Sequence, residues 1–179
     1  SRAVGTMTYP AKFVLVAASN PCPCGNFGSE TKRCTCFPGA VLRYQKRISG
    51  PIIDRIDLHV PVPAVKVEKL TSSSEIKPET SKLMQRRVQR ARKMQLVRLA
   101  KTRLMSNAEM NTRVVKELCP LPTEVVAFLR QAVIRLNLSA RSYYRVIKVS
   151  RTIADLAQEK SITVSYVAEA LQYRPREEN

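Results

Sequence analysis

All five glycines of the 179-residue chain lie at or before position 50. Glycine is the residue a chain uses wherever its backbone must enter left-handed geometry, and it weakens helix interiors. A long glycine-free tail therefore limits the fold, and its apolar spacing limits it further. From Glu79 onward Met84, Val88, Ala91, Met94 and Val97 recur at helical intervals, which predicts one long helix whose apolar face they trace. Three further helices are predicted near 122–136, 139–158 and 163–172. Residues 79–179 thus read as an all-α bundle.

The first third reads differently. Residues 13–18, FVLVAA, are an unbroken apolar run that stops at Ser19, Asn20 and Pro21, the pattern of a buried strand. In IDRIDLHVPVP, Ile56, Leu58 and Val60 alternate with Asp57, His59 and Pro61, the period-two signature of a half-buried strand. Between them PGAVLRYQKRI opens on Pro38, a natural first-turn residue, and places Val41, Leu42, Tyr44 and Ile48 on one side of a short helix. Two strands and one helix are too little for a closed α/β domain. The expected architecture is an α/β remnant over 1–62, a Pro-, Ser- and Lys-rich linker over 63–78, and the helical bundle over 79–179. The opening residues SRAVGTMTYPAKF lead straight into a strand, so the polypeptide reads as a fragment of something longer.

Charge narrows the partners. Lys and Arg number 31 against 14 Asp and Glu, for a net +17, which favours nucleic acid, nucleotide or another polyanion. Nine of the cations (82, 86, 87, 90, 92, 93, 98, 101 and 103) fall within 79–105 beside one acid, Glu79. That helix is either a solvated face or a nucleic-acid-binding one, with Arg86, Arg87 and Arg90 the candidate contacts. No apolar run approaches the ~18 residues that span a bilayer, and no secretory signal opens the chain. The expected compartment is the cytoplasm.

Four of the five cysteines crowd into SNPCPCGNFGSETKRCTC. Cys22, Cys24, Cys34 and Cys36 form two C-x-C pairs, and two such pairs supply the four thiolates that tetrahedral zinc prefers. Reduced, unliganded thiols are the plainer alternative, and disulfides do not suit a reducing cytosol. A closed four-thiolate set leaves no place for water, so any such metal is structural. Cys119 stands alone as a small core residue. His59 is the single histidine, and one histidine supports no Ser-His-Asp or Cys-His nucleophile. No G-x-x-x-x-G-K-[ST] phosphate loop is present.

Several stretches taken together resemble one family. FVLVAASNPCPCG, RYQKRISGPIIDRIDLHVPVP, LSARSYYRVIKVSRTIADL and EALQYR are similar, in order and separation, to the C-terminal half of the magnesium-chelatase-related AAA+ ATPases of the ComM or YifB group. The resemblance implies an AAA+ core remnant followed by a helical lid. It implies that Asn20 is the sensor 1 residue that orients the attacking water, a role an amide suits because it both donates and accepts. It implies that Arg55 is the arginine finger offered to ATP in a neighbouring subunit, with a salt bridge to Asp54 or Asp57 as the plainer reading. Arg141 matches sensor 2, and Arg145 and Lys148 continue its stripe at i+4 and i+7. The intact protein is expected to be a hexameric ATPase using ATP and Mg2+ to remodel DNA, as in branch migration during recombination or transformation. Lacking Walker A and Walker B elements, these 179 residues alone are expected to be inactive. A magnesium-chelatase motor subunit and a non-enzymatic zinc-containing nucleic-acid-binding module are the alternatives.

Overall fold

A computed structural model describes residues 6–8, 11, 13–63 and 79–175. They fall into two compact units, Ser1–Ile48 and Ser49–Asn179, and the expected linker lies largely outside the described residues.

Among the described residues of the first unit, regular structure is confined to α1 (Pro38–Gln45), where proline opens the helix as its missing N–H predicts. Val41 is the buried residue of that helix, while Leu42 and Ile48 remain exposed. The rest of the unit is the cysteine loop and the apolar run before it.

Neither expected strand is formed, and among the described residues there is no strand at all. The α/β remnant is therefore replaced, among the described residues of 1–62, by irregular chain with two short helices, Pro38–Gln45 and Gly50–Ile53. Phe13 is 76% exposed, Val14 89% and Val16 87%, the reverse of a buried strand. The physical reason is that a strand exists only through a neighbour: its N–H and C=O groups need a second strand to bond. Apolar content signals a tendency to pair and cannot supply the partner. The segment at 56–60 fails for a related reason. Leu58 and Val60 are exposed, and the backbone link there runs from the His59 N–H to the Tyr173 carbonyl at 2.8 Å. This segment is a strap against a helix end, and a single bond to a helix terminus sets no alternating ladder.

The second unit carries the predicted bundle. Short α2 (Gly50–Ile53) precedes it. Long α3 (Ser81–Leu99) starts at Thr80, whose side chain accepts from the Leu83 N–H. A 3-10 turn at Asn107–Glu109 leads to α4 (Thr112–Leu118), capped by Asn111. Then come α5 (Thr123–Arg135), α6 (Ala140–Leu156) capped by Ser139, and α7 (Val164–Gln172). Helix α6 packs against α3, α4, α7 and the 3-10 turn. Around it Leu99, Met110, Val115, Cys119, Val125, Leu129, Val146, Ile147, Ile162, Val167 and Ala170 close the core. Cys119 is a core residue as expected, and burial pushes its thiol pKa up.

With no glycine after position 50, two helix ends in this bundle use side-chain-bearing residues in left-handed geometry, Asn137 at φ 45° and Gln158 at φ 64°. Asparagine tolerates this conformation and glutamine does so poorly. Gln158→Gly is expected to stabilise the bundle by about 1 kcal/mol or less, because relief of the backbone is partly offset by loss of the Gln158 bond to the Asp155 carbonyl. Urea unfolding checks it.

Helix α3 is the expected long helix, and it buries a different face. Ala91, Gln95 and Leu99 are buried, whereas Val88 and Val97 are 50% and 78% exposed. Only the C-terminal half of α3 meets the core, and every residue from 81 to 90 is exposed.

Candidate functional site

The cysteine loop folds its four thiols together. Cys22 and Cys24 Sγ lie 3.4 Å apart, Cys22 and Cys34 3.8 Å, and Cys24 and Cys34 3.6 Å. With Cys36 included, all four sulfurs lie within 4.8 Å of one another. The local chain explains the convergence. A turn bonds the Gly25 N–H to the Cys22 carbonyl at 3.0 Å, and it needs Gly25 at φ 79°. The turn also aims the Phe27 N–H at Cys22 Sγ, 3.3 Å away. Cys22 is fully buried. Backbone N–H groups of Asn26 and Thr35, with the Cys22 thiol, hold the Cys24 pKa down to about 5.

Asn20 is exposed and immediately precedes this loop. A Cβ placed on Gly25 would sit 4.0 Å from Asn20 Cγ, so the tight turn lies directly behind the amide.

In the second unit Arg141 belongs to a polar cluster centred on Asp54, the residue that precedes Arg55 in the chain. Asp54 Oδ1 accepts from Ser142 Oγ at 2.9 Å and from Arg174 Nη2 at 3.1 Å. Arg174 Nη2 also donates to Ser142 Oγ at 2.8 Å, and Arg145 Nη1 donates to the Asp54 carbonyl at 2.6 Å. Arg141 Nη1 stands 3.7 Å from Asp54 Oδ2 with its side chain 53% exposed. The Ser142 hydrogen bond, reinforced by the charges of Arg174, Arg141 and Arg145, holds the Asp54 carboxyl below the usual carboxylate range. Residue 54 is thereby tied to the start of α6 and the end of α7.

The next residue is left free of that cluster. Arg55 is exposed and donates through Nη1 to the Pro51 carbonyl at 2.9 Å. Asp54 is engaged by Arg141 and Arg174, and Asp57 by Arg145 Nε at 3.2 Å. The salt bridge weighed for Arg55 is not formed. Arg145 and Lys148, which continue the stripe from Arg141, are turned to internal partners: Arg145 meets the Asp54 carbonyl and Asp57, Lys148 Nζ donates to the Ala108 and Met110 carbonyls at 2.9 and 3.3 Å, and burial lowers the Lys148 pKa.

Asp54→Ala is expected to destabilise the second unit by about 1–3 kcal/mol, the scale of removing a partner from a buried donor. Because the native carboxyl titrates below its unfolded value, its contribution is fully present above the unfolded pKa of ~3.9 and is lost as pH falls through the native value. The gap between wild type and variant should therefore shrink from about pH 5 to about pH 2, which urea titrations across that range measure.

The basic helix divides in the same way. Lys82, Arg86, Arg87, Arg90, Arg92 and Lys93 are exposed on α3, with Arg87 Nη1 3.3 Å from Glu79. Arg98 is not part of that surface. It turns inward to Asp155, which is fully buried, with Nη1 to Oδ2 at 3.0 Å and a second bond from Nη2 to Oδ1. Arg151 Nε reaches the same carboxylate at 3.1 Å, and Asn107 Nδ2 donates to it at 2.9 Å. Nothing local in the sequence pairs Arg98 with Asp155. Nothing local in the sequence marks Asp54, Ser142 and Arg174 as partners of one another, although each lies in a stretch that carries the family resemblance.

Comparison with known proteins places the chain. The family model for magnesium chelatase subunit ChlI, C-terminal, matches residues 78–174, and that for magnesium chelatase subunit ChlI matches residues 1–70. Competence protein ComM of Haemophilus influenzae is 39% identical and protein YifB of Escherichia coli 38% identical, each over 97% of this chain and 33% of the relative. A Mycobacterium tuberculosis protein is 31% identical over 97% of the chain and 34% of its own length. The chain thus spans about a third of the length of the curated relatives it matches. By its two family matches and these relatives it belongs to the magnesium-chelatase-related family, of which it is a C-terminal portion.

Proposed function

We propose that this chain is the C-terminal part of a ring-forming ATPase that couples ATP hydrolysis to DNA remodelling, such as branch migration. The observation that carries the reading is Arg55: an exposed guanidinium left unpaired by both flanking aspartates, next to a residue anchored by Ser142, Arg145 and Arg174. A permanently charged fork with no carboxylate partner among the described residues suits a negative group presented from outside, and phosphoryl transfer is such a setting.

The residues present do not make a nucleotide site by themselves. No phosphate loop and no Mg2+-binding motif of that kind occurs in the chain, so nucleotide and metal would be held by other residues of an intact ring. This chain's part is to orient and to stabilise charge. Asn20 would position water through its amide, Arg55 would stabilise charge across a subunit boundary, and Arg141 would respond to phosphate from the lid. The half-exposed Arg141, loosely held 3.7 Å from Asp54, has room for that response. The 179-residue chain is accordingly expected to show no ATP turnover, and robust hydrolysis by it would contradict this division of labour.

The DNA part rests on the net charge of +17 and the cationic exposed half of α3. The word competence in the name of the Haemophilus influenzae relative agrees with a role in DNA handling. If Arg86, Arg87 and Arg90 each neutralise one phosphate, replacing all three by alanine should reduce the slope of log K against log salt by about 2.7. Fluorescence anisotropy on duplex DNA measures it. Undetectable DNA binding by the intact protein even at low salt would remove this part of the reading, while metal insertion into a porphyrin by that protein would favour a chelatase motor.

A further inference from the structure

The cysteine loop has sulfur geometry that the motor reading neither needs nor explains. Four thiols are held together in a loop with a net positive complement, Lys32 and Arg33 lying exposed between the pairs. We propose that Cys22, Cys24, Cys34 and Cys36 bind one zinc ion as a closed tetrathiolate centre.

Distances separate the possibilities. Sulfurs of a disulfide are bonded at ~2.05 Å, and the separations here of 3.4, 3.6 and 3.8 Å are far longer. Zinc with four thiolates at ~2.3 Å makes a tetrahedron whose edges are ~3.8 Å. The three edges of 3.4, 3.6 and 3.8 Å fall at that figure or a few tenths of an ångström below it, and the fourth sulfur lies within 4.8 Å of the others. An iron–sulfur cluster assigns its thiolates to different irons, which spreads them beyond the compass of this set. One ion of tetrahedral preference fits, and zinc is the metal for which an all-sulfur tetrahedral set is most typical.

The loop provides more than ligands. The Phe27 N–H directed at Cys22 Sγ is the supporting hydrogen bond that a ligand thiolate needs to keep its orientation. Cys22 is fully buried, and the other three are half-buried. With all four positions filled by sulfur, no water reaches the ion, so the centre is structural. Its consequence lies at Asn20: the Gly25 turn, closed by the Cys22 carbonyl, packs behind that amide. Metal binding fixes the turn and so the backing of Asn20.

The test reads metal on the 179-residue chain without nucleotide, so its failure is separable from failure of the motor reading. Purified under reducing conditions, the chain should carry one zinc by elemental analysis. Replacement with Co2+ should give the intense sulfur-to-cobalt charge-transfer bands and red visible bands of a tetrahedral tetrathiolate. Cys22→Ser, Cys24→Ser, Cys34→Ser and Cys36→Ser should each weaken Zn2+ binding at least about 100-fold, the upper end of what loss of a supporting contact alone costs, and Cys119→Ser should leave it unchanged. The helical unit is compact on its own, and its circular dichroism reports whether a variant folds. Gly25→Val keeps every ligand and strains the turn, so it should weaken binding to a smaller degree. Zinc removal should increase amide exchange across 20–36 while leaving 79–175 protected. A wild-type chain that leaves added Zn2+ free in equilibrium dialysis overturns the proposal, as does iron in place of zinc or equal loss on Cys119→Ser.

Discussion

Asp155→Ala is expected to cost the helical unit about 3–5 kcal/mol, the range for removing one partner of a buried ion pair. The carboxylate is fully buried and serves two guanidiniums, those of Arg98 and Arg151, together with the Asn107 amide. Arg151 is only 3% exposed at its side chain and Arg98 16%, so both charges would be stranded away from water. Other bonds soften the loss without cancelling it: Arg151 also donates to the Lys160 carbonyl at 2.6 Å and to that of Glu159. For a domain near a hundred residues each kcal/mol moves the midpoint by about 4–8 °C, so a fall of at least about 12 °C is expected. Calorimetry of wild type and variant measures it. A shift of only a few degrees would mean that water reaches the two arginines and that the network is not structural. The result bears on the DNA reading too, because it shows whether Arg98 is held inward and withdrawn from the cationic surface of α3.

Arg55→Ala carries the largest expected effect on activity. In the intact protein it should lower ATP turnover by about 10³–10⁵, the effect of an arginine finger on a transferring phosphoryl. Arg55 makes its polar contact with the Pro51 carbonyl and is exposed, so folding should be nearly unaffected and the thermal midpoint should move little. That contrast separates it from Asp54→Ala, which removes anchoring and changes stability. Mixing is the sharper measurement: a finger acting across a subunit boundary disables its neighbour's site, so activity in mixed rings should fall faster than the wild-type fraction. Activity proportional to that fraction would remove the trans role. Arg55→Lys should not restore turnover, since an ammonium lacks the planar fork.

How far the sequence carried depends on the reach of each interaction. The helices at 81–99, 123–135, 140–156 and 164–172 were legible because helical hydrogen bonds close within four residues and the apolar period reports them. The cysteine pairs were legible for the same reason, each pair being separated by one residue. What face α3 buries was not, since Val97 fits the apolar period and is left exposed while Gln95 is buried. That choice belongs to the surface the helix meets.

The strand expectations failed where pairing would have had to come from outside the segment. Residues 13–18 and 56–60 have the composition of strands, but composition cannot provide a second set of backbone donors and acceptors. The Asp54 cluster had no sequence signal beyond lying within the stretches that carry the resemblance, because its members are far apart: 88 residues separate Asp54 from Ser142 and 120 separate it from Arg174.

By itself, then, the sequence determined the helical bundle, the thiol set and the family, all of them properties of local spacing or of ordered motifs. Only the tertiary structure decided that Arg98 turns inward to Asp155, that Asp54 and Asp57 are engaged by Arg141, Arg145 and Arg174, and that Arg55 is left without a carboxylate partner among the described residues. Which carboxylate neutralises which guanidinium depends on distance in space, and residues many turns apart along the chain acquire that distance only when the helices pack.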